Sequence, residues 1–176
     1  MARRAPPAGR GRLAVRFKKG HGPTLSWDDV VEEAVAFGWI DSVPRALDDA
    51  RTMLYVSPRR PGSRWSALSK RRAQRMIDAG AMTPAGQATV DAAQADGSWT
   101  ALDDVENLVV PDDLAAALAD RPPARRHWDA FPPSVRRGIL EWILDAKRDA
   151  TRQKRVEETA TRAQRNERAN QWPRSG

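Results

Sequence analysis

The sequence predicts an α+β fold: a small, mostly antiparallel sheet with packed helices, followed by an all-helical C-terminal region. Two kinds of periodicity lead to this prediction. Residues 13–18 alternate apolar and polar side chains and residues 51–56 are rich in β-favouring types, which is typical of strands. Between these segments, and in most of the chain after Pro111, apolar residues recur at helical spacing. At 176 residues the chain can bury a core without disulfides.

The predicted α+β unit begins with one strand and one helix in close succession. Leu, Val and Phe lie on one face of the strand over residues 13–18, and we expect a helix over residues 27–37 to pack on that apolar face. Ser26 is placed to cap this helix, and Gly38 is placed to end it. This pattern predicts a compact sheet that is covered by a helix.

Two further helices are expected after the second strand. Ser66 is a suitable N-cap for a helix that runs to about Ala79. Thr83 and Pro84 form the N-cap and first position of another helix, which runs towards Ala95. These helices complete the predicted α+β unit.

Composition divides the chain into four segments. Residues 1–12 are rich in Arg, Pro and Gly and are expected to be disordered and basic. Residues 13–105 form the α+β unit and residues 106–165 form the helical region. Residues 166–176 are expected to be a flexible tail, with exposure beginning at about residue 160.

The C-terminal helices differ in their apolar content. The helix over 133–148 places Ile139, Trp142 and Ile143 on one stripe, which we expect to pack on the α+β unit. The stretch from 151 to about 170 favours helix but has almost no large apolar residues, so it either makes a thin contact or frays. The residues available for a thin contact are Val156, Ala160 and Ala163.

The net charge of +7 is concentrated at the two ends of the chain. Residues 1–19 carry seven Lys/Arg and no acid, and residues 147–176 carry nine Lys/Arg and four acids. Residues 20–146 carry fourteen Lys/Arg and nineteen acids, so the middle of the chain is acidic. The chain has no cysteine, which excludes disulfides and thiolate chemistry and fits a cytoplasmic protein. Its apolar runs are too short for membrane insertion.

The strongest local signal is a basic stretch with a shaped loop inside it. Residues 50–77 hold eight Lys/Arg and no acid, and the loop at 57–66 contains prolines, Gly62 and a tryptophan. Guanidinium groups, hydroxyls and a helix N-terminus together can hold an anion. Alternatively, Trp65 is a core residue and the arginines pair with acids elsewhere. A third interpretation is nucleic-acid binding by residues 51–75 and both basic ends.

Asp41 is the second candidate, because it follows Trp39 directly after a helix end. A carboxylate beside tryptophan suits a general acid or base, and an Asp at this place can equally be a turn residue or the partner of an arginine. If a sheet edge brings Asp41 to Arg59 and Arg60, the carboxylate would bind one guanidinium in a bidentate manner. The other Arg and the helix end at Ser66 would then be free for a ligand.

No motif for a known reaction is present. The sequence has no Gly-rich phosphate loop, dinucleotide fingerprint or nucleophile elbow. His21 and His127 lack the ligand spacing of a metal site. We therefore predict no catalytic residue, metal or cofactor, and expect a binding protein rather than an enzyme.

Five stretches together resemble a known bacterial family, and the resemblance extends over residues 13–165. They are Phe17–Gly20, Phe37–Asp41, Pro58–Ser66, Met82–Gly86 and the run from Trp142 to Val156. The sequence is similar in these stretches to the YdeI/OmdA proteins, known as bacteriocin-protection or OmpD-associated proteins. The resemblance implies a factor for stress response and resistance to antimicrobial peptides, with no agreed biochemical activity. Where members usually have Gly, this chain has Ser42.

The sequence thus predicts a small cytoplasmic, non-enzymatic protection factor with one binding face. Its partner is expected to be an anionic small molecule or a protein, whereas nucleic acid is less favoured and Asp41 acid/base catalysis is the remaining alternative. The expected ligand-binding residues are Trp39, Asp41, Arg59, Arg60, Ser63, Trp65 and Ser66, with Lys147 and Arg152 from the C-terminal helices.

Overall fold

The computed structural model describes residues 11–23 and 26–170. The chain divides into two compact units, Met1–Ala101 and Leu102–Gly176. The first unit holds a four-stranded antiparallel sheet and the second is helical, which confirms the predicted α+β class. Residues 1–10 of the expected disordered segment and residues 171–176 of the expected tail lie outside the described residues.

The sheet is built around its last strand. Strands β1, β2 and β3 each pair antiparallel with β4. In this register Leu13 lies opposite Tyr55, and Asp41 lies opposite Val56. The strands are β1 (Arg12–Phe17), β2 (Trp39–Asp41), β3 (Arg45–Ala46) and β4 (Arg51–Pro58).

The three helices of the first unit begin at the caps that the sequence predicts. They are α1 (Trp27–Ala36), α2 (Ala67–Asp78) and α3 (Pro84–Ala95). Ser26, Ser66 and Thr83 each accept a hydrogen bond from a backbone amide in the first turn of the helix that follows. These caps satisfy amides that would otherwise have no partner, which fixes where each helix starts.

Helix α1 packs on the opposite face of the sheet from the one that we expected. Leu54 and Val56 of β4 are buried in one cluster with residues of α1. Leu13, Val15 and Phe17 of β1 lie on the other face and are 59%, 47% and 39% exposed. The expectation was wrong because alternation shows which side chains share a face, but not which face a helix covers.

Helix α3 is held close to the end of α1. The amide and hydroxyl of Thr83 both donate to the carbonyl of Ala36, at 3.0 and 2.7 Å. A Cβ added at Gly86 would lie 2.2 Å from that same carbonyl oxygen, and one at Gly38 would lie 2.3 Å from Thr89 Oγ1. Both glycines are therefore required for the close approach, which places α3 beside the end of β4.

The second unit is a set of short helices around its own core. Its helices are α4 (Asp103–Glu106), α5 (Asp112–Ala119), α6 (Ala124–Ala130), α7 (Pro133–Leu144) and α8 (Asp149–Gln164). Ile139 and Ile143 of α7 are buried with Leu114 and Trp128 of the same unit, and Trp142 is only partly buried. We expected these α7 side chains to pack on the α+β unit, but their burial is within the helical unit.

Helix α8 contacts this core through small side chains. Val156, Ala160 and Ala163 are all buried, so the thin contact stripe is the correct alternative. Ala169 is buried as well, whereas residues 164–168 are exposed, so the expected exposure after about residue 160 holds for most of this stretch but not for Ala163 and Ala169. No helix among the described residues is long and apolar enough to cross a membrane.

Candidate functional site

The α+β unit contains a cavity of about 200 Å³ at the end of β4. One side is formed by residues 59–63 and Trp65, which lie in the segment that we call the cavity loop (residues 59–65). The other sides are Ala88, Thr89, Ala92 and Ala93 of α3, and Asp96 and Ser98 of the turn after α3. The cavity is therefore formed by segments that are about 30 residues apart in sequence.

Backbone hydrogen bonds fix the cavity loop to its surroundings. The amide of Arg59 donates to the Gly38 carbonyl at 3.0 Å, and the amide of Trp65 donates to the Ser98 carbonyl at 3.2 Å. Between these two points, the Gly62 amide donates to Asp96 Oδ2 at 3.2 Å. Gly62 has a φ of +73°, a left-handed conformation that favours glycine. The loop is thus anchored at both ends and at its tip.

Arg59 is the central side chain of the cavity. It is only 9% exposed, and its guanidinium carbon lies 3.9 Å from the centre of the Trp65 ring. Its Nη1 donates to the Arg64 carbonyl at 3.1 Å. Burial lowers the pKa of Arg59 to about 10, although the nearby charge of Asp41 acts in the opposite direction. Arg59 therefore remains positively charged at neutral pH.

This buried charge has no carboxylate partner. Among the described residues, no ion pair joins Arg59 to an acid, and no hydrogen bond reaches its Nε. A buried charge is normally paired, because removing it from water costs free energy that only a counter-charge or hydrogen bonds can offset. The arrangement leaves a positive charge with an unsatisfied donor beside a cavity.

One further donor without a partner belongs to a residue of the lining. Trp65 Nε1 is enclosed and has no hydrogen-bond partner in the described part of the chain. The Ser98 side chain lies near Asp96 and contributes first, followed by the Ser98 and Gly62 amides, to holding the pKa of Asp96 below its usual value. Each buried donor without a partner costs about 1–3 kcal/mol unless an acceptor reaches it.

The structure brings four of the predicted site residues together. Arg59, Arg60, Ser63 and Trp65 all line the cavity. Trp39 is instead buried in the core of the unit, and Asp41 is half-buried at the end of β2. Neither Trp39 nor Asp41 lines the cavity.

The predicted bidentate bond from Asp41 is absent. In the part of the chain that the structure describes, no hydrogen bond or ion pair joins Asp41 to Arg59 or Arg60. The strand register explains this, because Asp41 lies opposite Val56 while the Arg59 amide pairs with Gly38. The guanidinium of Arg59 is directed to the Trp65 ring rather than to the carboxylate.

Ser66 has a structural role at the start of α2. Its Oγ accepts from the Ser69 amide at 3.2 Å and donates to Ser69 Oγ at 3.1 Å. It is not among the cavity residues. The helix end that we expected to be free for a ligand is therefore capped by its own serine.

The two C-terminal candidates belong to the helical unit. Lys147 is exposed between α7 and α8. Arg152 binds Asp113 in a bidentate manner, with Nε to Oδ2 at 2.7 Å and Nη2 to Oδ1 at 2.9 Å. Partial burial acts to raise the pKa of Asp113, but Arg152 and the Leu114 amide outweigh it, so the pKa is lowered. This is the geometry of a structural ion pair.

Two arginines of α2 in the basic stretch are neutralised by acids of α1. Arg72 pairs with Asp28 at 2.5 Å, and Arg75 pairs with Glu32. Trp65 is 1% exposed and belongs to the core cluster. The structural alternative therefore holds for Trp65 as a core residue and for these α2 arginines, but not for Arg59.

Sequence reasoning missed one side of the cavity. Asp96 and Ser98 lie in a turn where Gly97 has a φ of +79°, and the Asp-Gly-Ser pattern predicts only that turn. The small residues of α3 that face the cavity, such as Ala92, are ordinary helix formers. Nothing local in either segment indicates that it meets the cavity loop.

The fold is thus a small antiparallel sheet with three helices, joined to a separate helical unit. Residues 107–166 match the family described as Bacteriocin-protection, YdeI or OmpD-Associated. The predicted resemblance is confirmed over this C-terminal segment. Residues 10–89 match a different family, described as Domain of unknown function (DUF8412). No curated protein and no solved structure matches the chain.

Proposed function

We propose that the α+β unit binds a small anionic ligand in the cavity beside Arg59, and that the protein is a non-enzymatic binding factor. The observation that carries this proposal is the buried guanidinium of Arg59, which has no carboxylate partner and whose Nε faces no acceptor among the described residues. An anion in the cavity beside Arg59 would balance this charge.

The family description of residues 107–166 supports a biological setting for this activity. It names bacteriocin protection and association with OmpD. We propose that ligand binding in the α+β unit serves tolerance to bacteriocins and cationic antimicrobial peptides, as part of a stress response in the cytoplasm. The link between ligand and tolerance is part of the proposal.

Two other functions have less support from the geometry. Nucleic-acid binding would use the exposed cations of α2, but Arg72 and Arg75 are already paired with acids of α1. Catalysis by Asp41 would require a substrate site beside that carboxylate, and Asp41 does not line the cavity at the end of β4. Neither alternative accounts for the buried guanidinium of Arg59 beside the cavity, whereas a small-anion site does.

Calorimetric titration of the full chain with acetate and with inorganic phosphate tests the proposal. At least one of these anions should bind, and Arg59→Met should weaken that binding by about tenfold or more, the value of one hydrogen bond to a charged group. Arg72→Met is the matched control, because Arg72 has the same charge but pairs with Asp28, and it should bind normally. Equal loss in both variants would refute a specific anion site.

A further inference from the structure

We infer that the anion in this cavity is a small monocarboxylate with a short aliphatic chain. This inference rests on the proposed anion-binding function and specifies its ligand. It follows from three properties of the cavity: the net charge of its lining, the planar guanidinium that lines it, and the small side chains of α3 on its far wall.

The charged residues of the lining favour a single negative charge. Arg59 and Arg60 contribute two positive charges and Asp96 contributes one negative charge, so the lining sums to +1, and the nearby charge of Asp41 outside the lining further disfavours a dianion. Asp96 is held in place by the amides of Gly62 and Ser98, so its carboxylate is a fixed part of the wall. A dianion would be repelled by this carboxylate, whereas a monoanion balances the lining.

The donor arrangement suits a planar group. Arg59 uses Nη1 for the Arg64 carbonyl, while its Nε has no acceptor among the described residues. The guanidinium plane is supported by the Trp65 ring at 3.9 Å. A planar donor held in this way matches the two oxygens of a carboxylate.

The wall formed by α3 is made of small side chains and is mostly apolar. Ala88, Ala92 and Ala93 line it with Thr89, whose hydroxyl donates to the Ala85 carbonyl, so an aliphatic chain can lie against methyl groups there. The volume of about 200 Å³ is below the roughly 300–1,000 Å³ of pockets that take drug-sized ligands. The cavity therefore selects a chain of a few carbons rather than a long acyl chain.

A calorimetric series on the full chain tests this ligand class. The probes are butyrate, acetate, inorganic phosphate and the uncharged butyramide, at equal ionic strength and neutral pH. Butyrate should bind about tenfold more tightly than acetate, because each buried CH₂ contributes roughly 0.8 kcal/mol. Phosphate should bind at least about tenfold more weakly than butyrate, and butyramide should not compete.

A charge placed on the apolar wall tests the location. Ala92→Asp adds a carboxylate to the lining and should weaken butyrate binding by about tenfold or more. Gln94→Asp makes the same charge change on α3 at an exposed position outside the lining, and should bind butyrate normally. Thermal melting of both variants checks that they fold.

The possible results separate this inference from the proposed function. Phosphate binding as tight as butyrate binding, and lost in Arg59→Met, would overturn the monocarboxylate while retaining the anion site. Equal affinity for acetate and butyrate would overturn the aliphatic part of the inference. Butyrate binding that survives Ala92→Asp would overturn its location. Absence of binding by every anion would overturn both proposals.

Discussion

The cavity loop and helix α2 are adjacent in sequence and equally basic, yet their arginines differ in whether they form ion pairs. Arg72 and Arg75 of α2 lie against α1 and pair with its acids Asp28 and Glu32. Arg59 of the cavity loop is buried against Trp65 and pairs with no acid in the described residues. The position of each arginine relative to the acidic face of α1 decides whether its charge is neutralised. A basic stretch can thus contain both structural and ligand-binding cations.

The two regions also differ in what their charges contribute to stability. An exposed ion pair such as Arg75–Glu32 contributes about 0.2–1 kcal/mol. Burial of an unpaired charge costs several kcal/mol before compensating contacts are counted. Arg59 therefore opposes folding, and the packing around Trp65 must offset that cost. A buried arginine that opposes folding in this way is expected to serve binding.

The largest expected effect is on stability, and it compares a buried residue of the cavity loop with an exposed residue of α2. Trp65→Ala should lower the free energy of unfolding by about 3–5 kcal/mol, because Trp65 is fully buried. Leu68→Ala on α2 should change it by about 0.5 kcal/mol or less, since Leu68 is exposed. Urea denaturation measures both. A loss below about 1 kcal/mol in Trp65→Ala would show that the loop does not depend on this ring.

The next effect compares what an arginine of the cavity loop and an arginine of α2 contribute to the free energy of unfolding. Arg59→Met should leave the free energy of unfolding unchanged or raise it by up to about 1–4 kcal/mol, as replacement of a buried charge often does. Arg72→Met should lower it by about 0.2–1 kcal/mol through loss of the Asp28 pair. Denaturant unfolding checks both values. A large destabilisation in Arg59→Met alone would mean that Arg59 is a structural residue.

The pH dependence of anion binding should report the pKa of Arg59. Burial lowers the pKa of Arg59 in the folded protein to about 10, below the value of an unperturbed guanidinium. Anion affinity should be constant around neutral pH and decrease as the pH rises through about 10, because free Arg59 then loses its proton. Between these two pKa values the unfolded chain binds more protons, so this group adds stability as the pH rises. Titrations of butyrate at several alkaline pH values would detect the loss of affinity.

The smallest effect is expected in the helical unit. Arg152→Ala should lower the free energy of unfolding by about 0.5–1 kcal/mol, since its bidentate partner Asp113 is partly exposed. This contribution is present above the ordinary pKa of Asp113 and is lost as the pH falls through its lowered folded value. Anion affinity should be unchanged. A tenfold loss of affinity in Arg152→Ala would assign that residue to the binding site after all.

The features that were predicted correctly are those set by neighbouring residues. Ser26, Ser66 and Thr83 cap helices because each hydroxyl reaches an amide within its own turn. The face of β1 that α1 covers was predicted wrongly, because the covered face depends on how the helix packs against the sheet, which the residues of the strand do not specify. For the same reason, Val15 is exposed although it lies on the apolar face that the alternation defines in β1.

The candidate site was predictable only on its arginine side. Residues 59–65 carry a recognisable combination of Arg, Gly and Trp, whereas Asp96 and Ser98 reach the cavity through contacts across more than 30 residues. Asp41 looked like the partner of an arginine because both follow strands. The register that separates them is set by pairing along β4, which residue types alone do not specify.

The most direct test of the account is an NMR titration of the full chain with butyrate. The resonances to follow are the side-chain N–H groups of Trp65 Nε1 and Arg59 Nε, with Trp128 Nε1 as an internal control. Trp128 also has a buried indole nitrogen with no partner, but it belongs to the core of the helical unit. We predict that the Trp65 and Arg59 resonances shift to saturation with one shared Kd while Trp128 stays fixed. Movement of Trp128 alone, or no movement of Trp65 and Arg59, would contradict a ligand site at Arg59.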